Sequence, residues 1–156
     1  MKTGLRTIGI TLALCLVGTI ATLAADANMG TWKLNEAKST FAAGATKNST
    51  VSYVAAGDSI KVTIDGVDAK GVATHSEWTG KFDGHDYAVT GDPTSDMRSY
   101  TRINKNTINF AIMNAGKVNM SGHIAIASDG KTRTVTSTST DDTGKKLTST
   151  AVFDKQ

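Results

Sequence analysis

From residue 30 onward the chain repeats one pattern: a run in which apolar or aromatic residues alternate with polar ones, rich in Val, Ile and Thr, closed by a short cluster of Gly, Asp, Asn or Lys. Such alternation marks a strand with one dry and one wet face, because successive side chains leave a pleated backbone on opposite sides. The closing clusters read AAGDS, GVDAKG, FDGHD, TGDPTSD, NKN, NAGK, SDGK and DDTGK. They carry the Gly, Asn and Asp residues that supply the positive φ angles of tight hairpins. Ten strands are predicted, over residues 31–34, 50–55, 60–67, 72–82, 87–89, 97–104, 107–113, 118–127, 132–140 and 147–153. Between residues 28 and 156 no window of helical length shows a 3.6-residue apolar stripe, and NEAKST, with Asn35 as its N-cap, is the candidate for a single helical turn.

Short antiparallel strands with no helix to cover them must hide their apolar face by closing the sheet on itself or stacking two halves. A Greek-key sandwich needs long connections, and only residues 35–47 and 90–96 offer them. The fold class expected is therefore all-β, an antiparallel up-and-down β-barrel of about eight to ten strands.

The first residues, MKTGLRTIGITLALCLVGTIATLAADA, combine Lys2 and Arg6, an apolar run and small residues near the end. This is the layout of a secretory signal peptide, expected over residues 1–25, with a single barrel domain over 26–156. The apolar part is shorter than the ~20 residues that cross a bilayer, so no stable membrane anchor is expected. Leu14 before Cys15 does not fit a lipoprotein box. Cys15, the one cysteine, lies inside the leader, so the mature chain has no disulfide and the expected location is a bacterial periplasm or the medium. Of the formal charge of +3, Lys2 and Arg6 carry two, leaving +1 spread without any basic run. That pattern excludes a nucleic-acid partner, and a monomer is expected.

The alternation assigns faces. Ile60, Val62 and Ile64 oppose Lys61, Thr63 and Asp65; Trp78, Gly80 and Phe82 oppose His75, Glu77 and Lys81. Ile108, Phe110 and Ile112 share the dry side with Val118, Met120, Ile124, Ile126, Leu147 and Phe153. In MRSYTRIN, Met97 and Ile103 place Ser99 and Thr101 inside and Arg98, Tyr100 and Arg102 in solvent. The opposite choice puts two guanidiniums and a phenol in the lumen, able to grip a carboxylate or phosphate. The Thr-rich TRTVTSTST adds little bulk on either face.

With Gly30, Trp32 and this meander, the chain resembles the lipocalin and fatty-acid-binding superfamily of calycin barrels, whose first strand opens Gly-x-Trp. The run WKLNEAKSTF, Trp32 to Phe41, is also similar to the opening of a group of exported bacterial proteins. The resemblance implies a barrel that carries a small molecule, with Gly30 easing a close approach of the chain and Trp32 plugging one end. Two departures stand out. Ala151 and Phe153 occupy the places where the fatty-acid-binding branch has an Arg-x-Tyr pair for the ligand carboxylate, and residues 35–47 are too few for its helical lid.

The expected function is binding of a small hydrophobic or amphipathic molecule in the lumen. Tyr53, Val62, Trp78, Phe110, Ile112 and Met120 line it, and Arg98, Tyr100 and Arg102 join them if their strand is turned inward. No cofactor is expected. His75 and Glu77 share a strand face, but neither His85 nor His123 converges on them, and zinc needs three or four protein ligands. No nucleophile elbow or H-E-x-x-H pattern is present, so enzymatic activity is not expected. The alternative is an interaction module or inhibitor whose filled barrel displays the turns TGDPTSD and FDGHD.

Overall fold

The computed structural model describes residues 26–141 and 143–156; the expected signal peptide, residues 1–25, lies outside them. Ten strands form one closed antiparallel barrel: β1 (Gly30–Leu34), β2 (Lys47–Ala56), β3 (Ser59–Val67), β4 (Ala73–Gly80), β5 (Asp83–Thr90), β6 (Met97–Asn104), β7 (Thr107–Asn114), β8 (Lys117–Ile126), β9 (Thr132–Thr140) and β10 (Lys146–Lys155). Each strand pairs with the next, and β1 closes the circle on β10. The barrel is thus up-and-down, as the short turns require. FDGHD is not a free turn: with Gly84 at φ 85° it forms the start of β5, where the register with β6 shifts between Asp83 and Asp86.

NEAKST forms one 3-10 turn, Glu36–Lys38, but Asn35 makes no side-chain cap bond. Its Nδ2 instead donates to Asp154 on β10 at 2.7 Å, while Ser39 Oγ donates to the Asn35 carbonyl and accepts from Val152 N–H. The WKLNEAKSTF run therefore staples the β1–β2 connection to β10, which explains its polar letters without a ligand.

The dry face is inside. Trp32, Val51, Tyr53, Ile60, Val62, Ile64, Trp78, Tyr100, Ile108, Phe110, Ile124, Ile126 and Phe153 are buried together. Val118 departs from the alternation and is 60% exposed. The ladder matches Ile112 with Met120 but Met113 with Val118, so one extra residue of β8 bulges there and turns Val118 outward.

The barrel has two unlike ends. At the end where β1 begins, Trp32 is fully buried and donates its indole N–H to the Asn28 carbonyl at 2.8 Å. Gly30, at φ 100°, lets the chain swing across that end, a backbone angle an L side chain resists. At the other end the inward residues of β8 to β10 are only half-buried: Met120, Val135, Ser137, Ser139, Leu147, Ser149 and Ala151.

Candidate functional site

Strand β6 corrects the favoured reading of MRSYTRIN. Arg98 and Tyr100 are buried, at 5% and 6% exposure, and Ile103 is 54% exposed. Register decides it: Arg98, Tyr100 and Arg102 pair with the inward Ile112, Phe110 and Ile108, whereas Met97 pairs with Met113 on the outside. Met97 misleads because it belongs to an external apolar strip, and the arginines mislead because their charge is compensated inside.

Arg98 Nη2 donates to Asp92 Oδ2 at 2.8 Å in the β5–β6 turn. Asp92 is fixed by its own turn: Oδ1 accepts from the N–H and hydroxyl of Thr94, and Oδ2 accepts from Ser95 Oγ as well. Burial pushes the Asp92 carboxyl up, but the bonds from Ser95, Thr94 and Arg98 outweigh it and hold it below its ordinary value. Arg98 Nε, also buried, has no partner among the described residues.

Tyr100 lies flat on Trp78, ring centroids 4.7 Å apart and planes 8° from parallel, and leans on Phe110 at 5.8 Å. Burial pushes its phenol up, against the pull of the Arg98 guanidinium and, more weakly, of Arg133, while the Tyr53 phenol adds to the rise. Arg98, Tyr53 and Arg133 thus each act on the Tyr100 phenol. Trp78 Nε1 is buried with no acceptor among the described residues.

Arg133 is the inward cation that sequence reasoning missed. It is 2% exposed, and its guanidinium carbon stands 4.9 Å from the Trp32 ring, 5.0 Å from Tyr53 and 4.9 Å from Phe153. Among the described residues it has no acidic partner, and its Nε and Nη1 have no acceptor. Cation–π attraction of about 0.5 to 2 kcal/mol per ring offsets part of the cost of burying the charge. The signal was its parity with Val135 in TRTVTSTST, which puts the one cation of that strand on the inward side.

Of the nine residues predicted to line the lumen, Tyr53, Val62, Trp78, Tyr100 and Phe110 are buried in the core, and Arg98 is buried as well. Ile112 and Met120 pair with each other beside Arg98, half-buried toward the open end. Arg102 is apart: it sits at the closed end, bonded to Asp26 and 4.9 Å from the Phe82 ring. Ala151 faces the interior beside Val135, so β10 carries no inward cation at the two places expected to lack one.

Around the open rim two solvent-accessible hollows flank the β3–β4 turn. One, about 580 Å³, is lined by Asp68, Val72, His75, Gly91, Asp92 and Pro93 among others. The second, about 570 Å³, lies between Phe41, Ala42, Lys47, Val67 and Ala69. His75 bonds Asp65 at 2.7 Å on the outer surface, and among the described residues no group of three or more His, Cys, Asp or Glu side chains converges for a metal.

No family model matches the chain, and no curated protein matches it. Among solved structures it is similar to EF1p2_mFAP2b bound to DFHBI, at 13% identity and a TM-score of 0.47 over 85% of this chain and 97% of that one. It is also similar to a redesigned beta barrel, mFAP1, bound to DFHBI, at 17% identity and a TM-score of 0.44 over 85% of this chain and 98% of that one. These likenesses add nothing to the topology already described.

Proposed function

We propose that this chain is an exported, lipocalin-like barrel that binds one small hydrophobic or amphipathic molecule in its open half. The observation that carries the reading is the loss of in–out contrast along β9. Val135, Ser137 and Ser139 point inward by register, yet are partly accessible just as their outward neighbours are. The interior surface at that end is therefore reachable, while aromatic side chains and Trp32 close the other end. Small Ser and Ala side chains line this part of the wall, with Met120, Ile112 and Leu147 as apolar contacts.

Export is supported by the leader-like residues 1–25 and by the lack of any cysteine after them. Native mass spectrometry of protein recovered from its own host, together with titration by lipophilic dyes, tests the function. The expected result is one bound small molecule per chain, or one dye site. A protein that carries nothing and binds no dye overturns the reading.

A further inference from the structure

We propose that the molecule bound by this barrel carries a single negative charge, and that Arg133 holds it. The inference rests on the reading above and goes further, to the chemistry of the ligand. It starts from the charges that face inward. At the closed end Arg102 is neutralised by Asp26. Two further guanidiniums face inward, Arg98 toward the open end and Arg133 beside Trp32 toward the closed end, and among the described residues they stand against one inward carboxylate, Asp92, which is committed to Arg98. One positive charge is left over, on Arg133.

Hydrogen-bonding capacity points the same way. Among the described residues Arg98 Nε, Arg133 Nε, Arg133 Nη1 and Trp78 Nε1 are four buried donors without acceptors, and the one buried acceptor in the same condition, Asn28 Oδ1, lies at the closed end. Most buried polar groups find partners, because an unmade bond leaves the desolvation cost unreturned. Arg133, with two such donors on one guanidinium held among Trp32, Tyr53 and Phe153, is a site for an acceptor. The three rings around Arg133 attract the faces of its guanidinium, but they cannot accept from the N–H groups at its edge.

A carboxylate, a sulfonate or a phosphodiester supplies both the missing charge and the missing acceptors. A dianion brings one charge too many, and a neutral molecule leaves Arg133 as it is. These nitrogens are out of contact with water, so the acid group reaches them by displacing packed side chains. Met120 and Ile112, half-buried beside Arg98, stand on the route from the open end, and an unbranched Met adapts readily.

Two probes with one ring system separate the outcomes: anilinonaphthalene sulfonate, an anion, and phenylnaphthylamine, which is neutral. Fluorescence titration of the wild-type protein is expected to give an anion affinity about tenfold tighter than that of the neutral probe, the worth of one charge-assisted bond. Arg133→Met is expected to bring the two within about twofold while leaving the neutral probe bound. Asp92→Asn, which keeps the turn and removes the competing charge, is expected to widen the preference. Equal affinities in the wild type, or a preference that survives Arg133→Met, overturn the inference and leave the binding function standing. Failure of both probes to bind overturns the function itself, and the wild-type comparison needs no variant to fold.

Discussion

A methyl group added to Gly122 would lie 2.0 Å from the Thr136 carbonyl oxygen and 2.8 Å from Phe110 Cζ. The oxygen belongs to the β8–β9 ladder and cannot retreat without breaking it. Gly122→Ala is expected to destabilise the barrel by about 3 kcal/mol in urea titration. Gly130→Ala meets no atom within 4 Å but must hold φ 69°, and is expected to cost only about 1 kcal/mol. Asp92 gives a pH signature. Its folded pKa lies below its unfolded value, so its stabilising contribution is present at neutral pH and is lost as pH falls through the folded value. Asp92→Asn is therefore expected to be less stable than wild type at pH 7, with the gap narrowing below about pH 4; denaturant titration across that range checks it. At this scale the sequence was legible where side chains are apolar. Tyr53, Val62, Trp78 and Phe110 fall inward by parity alone. Arg98 and Arg133 did not, because alternation treats a charge as solvent-facing, and what brings these two inside is a carboxylate six residues away in one case and three rings from distant strands in the other.

At the scale of strands, all ten elements could be read from turn residues and β-branched runs, since both signals are local. What could not be read is register, which depends on the partner. The β8 bulge that turns Val118 outward leaves no mark in KVNMSG, and the start of β5 hides in what looks like a Gly-containing turn. Register also exposes the weakest seam. β4 and β5 share only two paired positions, Glu77 with Thr90 and Trp78 with Val89, against nine between β2 and β3 and nine between β9 and β10. Below those pairs the Tyr87 ring lies over Gly80, where an added Cβ would stand 2.4 Å from its Cγ, so a side chain fills space that a ladder would otherwise close. Beyond Glu77 and Trp78 the β4–β5 ladder stops, so backbone on this side of Thr79 and Gly80 has no paired strand. Amide hydrogen exchange is expected to be fastest, among strand residues, in Thr79, Gly80 and the first half of β5, and slowest in β3 and β9. Uniform protection around the circle would contradict this account of the seam.

For the whole molecule the asymmetry between the two ends is what links fold to function, and the closed end depends on four residues that precede β1. Asp26 bonds Arg102, Asn28 is fully buried and accepts from the Trp32 indole, and Lys155 Nζ donates to the Ala27 carbonyl at 3.1 Å. Removing residues 26–29 would strip the partners from the half-exposed Arg102 and from Trp32, a fully buried donor whose desolvation would go uncompensated. It would also uncover the indole that plugs the barrel. A chain starting at Gly30 is expected to melt roughly 5 to 10 °C below one starting at Asp26, as a loss of about 2 to 3 kcal/mol implies for a domain of this size. The comparison bears on processing as well. Cleavage of the proposed leader after Ala25 keeps every one of these contacts, whereas cleavage a few residues later discards them. Equal melting temperatures for the two chains would mean that Trp32 and Arg133 seal the end unaided, and mass analysis of protein recovered from its host would then be free to find its first residue anywhere up to Gly30.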